Sequence, residues 1–227
     1  MSEHRTVAQR PGAKSRTIDL EHTDRLHQAC SELGIKPTDL QLKKIYRWIE
    51  LLQKWNTAYN LTALSDTDQI IHQLVIGSIV AIPYMRGSTV LDVGSGSGVP
   101  GIPLAIFAPR HQYTLIDGNG KKTRFLEHCR IFLELPNVAI KQTRAESFKP
   151  SAKFDTIISR ALTSLDQFIT TTLHLGHKQT RWLTFKGKIS RQELRKLEDI
   201  ETNLSMRHSL QKLNAEEELQ NLIVVRY

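Results

Sequence analysis

The sequence predicts an α/β protein: a mostly parallel, doubly wound sheet closed by an antiparallel hairpin, with a cap of helices in front. Three observations predict it. Short apolar runs at 89–93, 112–117, 137–141, 154–159 and 181–185 alternate with helical stretches at about 100–107, 121–134, 164–174 and 190–203. Strands that alternate with helices build a parallel sheet covered on both faces. The last two runs, 205–211 and 220–226, have only Asn214-Ala215-Glu216-Glu217-Glu218 between them and no helix, so they pair as a closing antiparallel hairpin. Before residue 85 there are apolar stripes at helical spacing and no strand at all.

Residues 1–17 carry Arg5, Arg10, Lys14 and Arg16 with almost nothing to bury, and read as a disordered basic arm. They contain no apolar core of a secretory signal. Leu26, Ala29, Cys30 and Leu33 then mark a helix that Gly34 can close. Thr38 and Gln41, three apart, form a capping box for a second helix burying Leu42, Ile45, Trp48, Ile49, Leu52 and Trp55. A third helix is expected from Asp68 through Ile71, Leu74, Val75, Ser78, Ile79 and Ile82, stopping at Pro83. The expected organisation is therefore an arm at 1–17, a helical extension at 18–84 and a sheet domain at 85–227.

A chain of 227 residues has room for one such domain and its extension. Its 40% hydrophobic and 24% charged content is that of a soluble globular protein. The net charge of +8 suits a polyanionic partner, and equally suits plain solubility. Cys30 and Cys129 have no CxxC or Cys/His spacing around them, so they read as buried free thiols and no metal is expected. No apolar run reaches bilayer length. A cytoplasmic monomer with no membrane contact is expected.

The chemistry concentrates in Val90-Leu91-Asp92-Val93-Gly94-Ser95-Gly96-Ser97-Gly98-Val99-Pro100-Gly101, a strand running into a glycine-rich turn and then a helix. Gly94, Gly96 and Gly98 let the backbone take positive φ and let a ligand lie against it. In a doubly wound sheet this turn lies at the carboxyl ends of the strands, where ligands bind. Gly96 to Gly101 also fits the dinucleotide pattern G-x-G-x-x-G, so a nicotinamide cofactor has to be weighed. Three features favour S-adenosylmethionine. Asp92 gives D-x-G-x-G-x-G, an acid able to face a cationic methionine end, or else to cap the turn. Arg144-Ala145-Glu146 follows the third strand, where it can meet an adenine edge. The terminal hairpin is that of a class I S-adenosylmethionine-dependent methyltransferase (Rossmann-like) sheet, and a dehydrogenase would need a substrate domain for which there is no room. Asp117, ending the second strand, can accept ribose hydroxyls; its alternative use is as N-cap of the helix at Lys121.

The loop after the fourth strand reads Ile158-Ser159-Arg160-Ala161. It has neither an Asn/Asp-Pro-Pro-Tyr cradle for an exocyclic amine nor a Pro-Cys nucleophile for a pyrimidine. Guanine N7 has a free lone pair at neutral pH, so its methylation needs placement and dryness but no general base. Arg160 can serve the guanine edge, a phosphate or the cofactor carboxylate, or simply pair with Asp117 or Glu146. Lys121, Lys122 and Arg124 open a helix where cations oppose the macrodipole, which points to phosphate contact. Lys186 and Lys188 add cations after the fifth strand, with a solvated face as the plainer reading of Lys188.

Four segments in order resemble the RsmG (GidB) family of bacterial small-subunit rRNA guanine-N7 methyltransferases. They are Trp55-Asn56 followed by Tyr59-Asn60-Leu61-Thr62, then Asp92 to Ala105, Ile158-Ser159-Arg160-Ala161, and Phe185-Lys186-Gly187. The resemblance runs from about residue 20 to the end. It implies methyl transfer from S-adenosylmethionine to N7 of a guanine in 16S rRNA or the small ribosomal subunit. It implies cofactor contacts at Gly94, Val99, Ala145, Glu146 and Arg160, with Asp117 at the ribose position. Lys121 and Lys122 match a basic pair of the family, and the Asn60-Leu61-Thr62 turn is expected to help wall the pocket, or else simply to end a helix with Asn60 left-handed. Where the family shows Arg-His-x-x-Asp-Ser, this chain reads Gln73-Leu74-Val75-Ile76-Gly77-Ser78, keeping only the serine. That departure motivates an alternative, an rRNA- or ribosome-binding protein of the same fold with weak or lost activity.

Overall fold

The structure, a computed structural model, describes residues 20–160, 164–187, 190–213 and 220–227. The apolar runs after residue 88 form one sheet: β1 (Thr89–Val93), β2 (Gln112–Asp117), β3 (Val138–Gln142), β4 (Phe154–Ser159), β5 (Gly176–Lys186), β6 (Arg207–Leu213) and β7 (Gln220–Arg226). Their order is β3-β2-β1-β4-β5-β7-β6. β1 to β5 pair in parallel, and β7 runs antiparallel between β5 and β6. β5 begins five residues before the expected 181, its pairing with β4 broken by a register shift between Phe154 and Thr156. With β2 on one side of β1 and β4 on the other, the strand order switches at β1 and opens a crevice beyond Val93.

The helices are α1 (Leu20–Glu32), α2 (Asp39–Tyr59), α3 (Thr67–Gln69), α4 (Gly77–Ile79), α5 (Gly101–Phe107), α6 (Gly120–Phe132), α7 (Leu165–Thr172) and α8 (Arg191–Leu204). The capping box of α2 forms as the spacing predicts. Gln41 N–H donates to Thr38 Oγ1 at 3.2 Å, and Thr38 N–H donates to Gln41 Oε1 at 2.9 Å. The Gln41 amide also donates to the Ile106 carbonyl at 2.8 Å, tying the start of α2 to α5.

The single helix expected from Asp68 to Ile82 is not continuous. Between α3 and α4 the chain winds as a π-helix over Ile70–Ile76, and a 3-10 turn over Ile82–Tyr84 follows. Residues Ile70 and Ile71, Leu74 and Val75, and Ser78 and Ile79 are all buried. Pairs repeating every four residues drift about 40° per repeat around an α-helix. The wider i→i+5 turn over Ile70–Ile76 drifts the opposite way, and the following α-helical turn carries Ser78 and Ile79, so the two windings together offset the drift.

Two apolar layers sandwich the sheet. On one face Leu26, Trp48, Ile71 and Ile79 pack into the same core as Ile102, Tyr113, Leu115, Phe125 and Leu183. On the other, Phe168, Ile169 and Leu197 cover Leu91, Ile116, Ile157 and Trp182. Cys30 and Cys129 are fully buried free thiols, and burial pushes the Cys30 thiol up to about 11. Among the described residues no helix is long and apolar enough to cross a membrane, and no cluster of His, Cys, Asp or Glu could hold a metal ion.

Candidate cofactor site

At the end of β1 the chain turns through three glycines, Gly94, Gly96 and Gly98, at φ of 71°, 56° and 89°. Only glycine enters that region without strain. The N–H groups of Gly94 and Ser95 both donate to the Ile116 carbonyl, at 2.9 and 3.1 Å, which pins the turn to the end of β2. The glycines serve different ends. A Cβ on Gly94 would meet nothing within 4 Å, so its backbone is open to a ligand. A Cβ on Gly98 would lie 2.7 Å from Ile102 Cγ1 and 3.1 Å from Leu126 Cδ2, so Gly98 lets α5 and α6 close on the turn. Val99, expected at the cofactor, is buried in the helix–sheet core. Gly98→Ala combines a forbidden φ with overpacking, and is expected to lower stability by about 2–3 kcal/mol in a thermal or urea melt.

Asp92 is fully buried, and its Oδ2 accepts the Gly101 N–H at 3.0 Å. It therefore holds the first turn of α5. Its Oδ1 has no hydrogen-bond partner. Burial pushes this carboxyl up to about 7, aided by the Asp117 charge and opposed by the Gly101 N–H, while the Ser95 hydroxyl donates to the Asp92 main-chain carbonyl at 3.0 Å. Asp117 is 9% exposed and doubly engaged: Oδ2 accepts Gly96 N–H at 3.0 Å and Oδ1 accepts Asn119 N–H at 2.8 Å. The alternative use as cap of the following helix falls instead to Asn119, whose side chain accepts Lys121 N–H at 2.9 Å.

Asp117 borders a cavity of about 210 Å³, whose lining does not include Asp92, Gly96, Gly98 or Val99. The glycine turn contributes Val93 and Gly94, the end of β2 Ile116, Asp117 and Gly118, and the turn after β3 Thr143 to Glu146. The structure thus brings Gly94, Asp117, Ala145 and Glu146 to one cavity. Its fourth wall, Ser164, Gln167, Phe168, Thr171 and Thr172 at α7, was not anticipated. The available signal was topological: a helix following β4 must start at the carboxyl edge of the sheet.

Arg160, expected there too, stands outside that lining, with its guanidinium 5.8 Å from the Phe185 ring centre. Burial pulls its pKa down to about 10, and Nη1 is buried without a hydrogen-bond partner. No ion pair to Asp117 or Glu146 is formed among the described residues.

The cations divide. Lys121 is exposed, and Lys122 lies over the glycine turn, its Nζ 3.9 Å from where a Cβ on Gly96 would sit. Arg124 spends Nε on the Gly120 carbonyl at 3.2 Å. Lys186 departs from its expected role: it is mostly buried and bound to Glu193 at 2.8 Å, an ion pair that holds the Glu193 carboxyl down. Lys188 lies outside the described residues, as does the arm at 1–17.

The Asn60-Leu61-Thr62 turn does not line the cavity. Asn60 takes the left-handed conformation that ends α2, and Asn56 stitches the turn by accepting Thr62 N–H and donating to its carbonyl, both at 2.9 Å. In the 73–78 segment Leu74, Val75 and Ser78 are buried, and the Ser78 hydroxyl donates to the Leu74 carbonyl.

Solved structures share the fold. A SAM dependent methyltransferase from Aquifex aeolicus superposes with a TM-score of 0.55 at 15% identity, covering 74% of this chain and 97% of that one. Ribosomal protein L11 methylase from Lactobacillus delbrueckii subsp. bulgaricus gives 0.53 at 20% identity, over 68% and 79% of the two chains. At the level of sequence, Ribosomal RNA small subunit methyltransferase G of Stutzerimonas stutzeri (strain A1501) is 43% identical over 182 residues, 79% of this chain and 85% of that protein. The protein of the same name from Hahella chejuensis (strain KCTC 2396) is 43% identical over 178 residues, 78% and 82% of the two. Residues 41–223, from the first turn of α2 to the middle of β7, match the profile of GidB, rRNA small subunit methyltransferase G, and the chain belongs to that family.

Proposed function

We propose that this protein transfers the methyl group of S-adenosylmethionine to N7 of a guanine in the 16S rRNA of the small ribosomal subunit. The observation that carries this reading is the family match, which spans the glycine turn, the cavity and Arg160.

The residues present fit that cofactor. Among the described residues four buried polar atoms lack partners, on Trp48, Asp92, Arg160 and Asp166, and two of them, the acceptor on Asp92 and the donor on Arg160, belong to segments expected at the cofactor. Such orphans are rare in folded proteins and call for a ligand or water. The Asp92 and Arg160 atoms complement the ammonium and carboxylate of a methionine end, and the open backbone of Gly94 lets that end lie against the turn. Asp117 keeps lone pairs beyond its two backbone hydrogen bonds, enough to accept ribose hydroxyls. Ile116, Ala145 and Phe168 offer apolar walls for adenine, with Glu146 at the rim. Gly96 and Gly98 shape the turn, and Val99 supports it from the core.

When bound, the cofactor supplies an electrophilic methyl group on a sulfonium. No residue has to remove a proton from guanine N7, so the protein's work is positioning and exclusion of water. Lys121, Lys122 and Arg124 line the α6 edge for RNA phosphates. Lys186, already paired with Glu193, ties the end of β5 to α8. A monomer acting in the cytoplasm fits this reading.

The buried Asp92 carboxyl gives it a pH signature. Asp92 ionises near 3.8 in the unfolded chain and at about 7 in the ligand-free fold. The folded state therefore holds the extra proton, and ligand-free stability falls as pH rises between those values. An ammonium ligand pairs with the ionised form, so cofactor affinity is expected to rise with pH up to about 7. Isothermal titration across that range checks it, with Asp92→Asn expected to flatten the profile.

A second reading, an RNA-binding protein of this fold without transfer, is motivated by Gln73 to Ser78. One comparison separates the two. Mapping N7-methylated guanine in 16S rRNA from cells with and without the gene should show one modification lost. Unchanged methylation would favour the binder.

A further inference from the structure

α2 and α6 lie antiparallel, and a ladder of rings and cations runs along their seam. Trp55 stacks on Tyr59 at 5.2 Å and meets Phe125 at 5.5 Å and the His128 ring at 5.3 Å. His128 in turn stacks on Phe132 at 6.0 Å and 12° between planes, and the Arg47 guanidinium lies 5.9 Å from the Phe132 ring centre. At the far end Lys44 Nζ donates to the Glu134 carbonyl at 2.9 Å. Phe125 is buried and Trp55 half-buried, but the outer rungs face solvent: Phe132 is 48% exposed and Tyr59 39%, and Arg47, Arg124 and His128 are exposed.

Its charge is one-sided. α2 and α6 each carry four Lys or Arg residues, against Asp39, Glu50 and Glu127. Glu127 is already taken by Arg130 at 2.5 Å, while Arg47 and Arg124 are in no ion pair among the described residues. The stripe begins at the cofactor turn, where Lys122 covers Gly96, and continues for about 15 Å along α6 to Phe132. Flat rings interleaved with unpaired guanidiniums are what unstacked bases and their phosphates bind.

We propose that the α2/α6 seam takes a single-stranded stretch of the rRNA adjoining the target guanine. Bases stack on His128 and Phe132, and phosphates meet Arg47 and Arg124. The proposal rests on the rRNA reading above and adds where the strand runs as it leaves the site.

The test uses the whole protein, a 16S rRNA transcript and the paired substitution His128→Leu, Phe132→Leu, which keeps apolar bulk and removes the π-faces. Affinity for the transcript is expected to fall at least about fivefold. Phe132→Tyr should retain it. Cofactor affinity and melting temperature should stay at wild-type values, which separates a lost RNA contact from damage to the fold. Arg47→Gln should weaken binding and reduce its salt dependence by about one phosphate contact. Unchanged transcript affinity in the paired variant would overturn the proposal. So would unchanged transcript affinity joined to weaker methylation of the assembled subunit, since the stripe would then meet a ribosomal protein. Loss of transcript binding in the variant, with no methyl transfer by the wild type, would support the seam and sink the transferase reading.

Discussion

Asp117→Asn is expected to fold and to lose at least about tenfold in cofactor affinity, with about 1–3 kcal/mol of stability. The carboxylate accepts two backbone N–H groups at once, from Gly96 and from Asn119. A carboxamide has only one accepting oxygen, so its NH2 must face one of those donors. Either the glycine turn or the Gly118–Asn119 loop is then released at the mouth of the cavity. Thermal unfolding and isothermal titration with S-adenosylmethionine measure the two losses separately. Wild-type values for both would mean that Asp117 is only a bystander at the sheet edge.

Arg160→Met is expected to split stability from function. In the ligand-free protein the guanidinium is largely buried over Phe185, with Nη1 unpartnered. A buried charge without a partner costs stability, and replacing it by an apolar side chain of similar volume is neutral or stabilising by about 1 kcal/mol or more. Cofactor affinity or methyl transfer should fall by about a hundredfold, because removing one partner of a desolvated ionic contact costs several kcal/mol. Arg160→Lys should recover little, since a point charge does not replace the planar fork. A variant with weakened folding and intact binding would instead make Arg160 a packing partner of Phe185.

Much of this was legible in the residues because the signals were local. The bounds of β1, β2, β4 and β7 follow from apolar runs cut off by glycine, proline or charge, and the terminal hairpin from a connection too short for a helix. Thr38 and Gln41 announce the start of α2, and Asn60 its left-handed end. The glycine turn and the roles open to Asp92 and Asp117 were visible, but not which way each carboxylate points. A residue at a strand end can face the crevice or the next helix, and the contest is decided by the Gly101 and Gly96 N–H groups brought near in space.

The misses share one cause: partners distant along the chain or a pattern with two solutions. Lys186 looked free until α8 brought Glu193 to it. The α7 wall of the cavity lies far along the chain from the glycine turn and the end of β2 with which it shares that cavity. The buried pairs from Ile70 to Ile79 fit an α-helical stripe loosely, and the π-turn that carries them into the core has no local sequence signal. The Trp55 to Thr62 segment, the most family-specific part of the sequence, turned out to do two jobs outside the cavity: Asn56 fixes the turn that ends α2, and Trp55 starts the ring ladder.

The central claim is methyl transfer to guanine N7 in 16S rRNA, and it is tested most directly by the reaction itself. Purified protein would be incubated with S-adenosylmethionine and, in turn, naked 16S rRNA, a partly assembled particle and the whole small subunit, followed by nucleoside mass spectrometry. The expected result is 7-methylguanosine at a single position in at least one of the three, absent with Arg160→Met. Cofactor binding without 7-methylguanosine in any of them, or a methyl group on another atom, would contradict it.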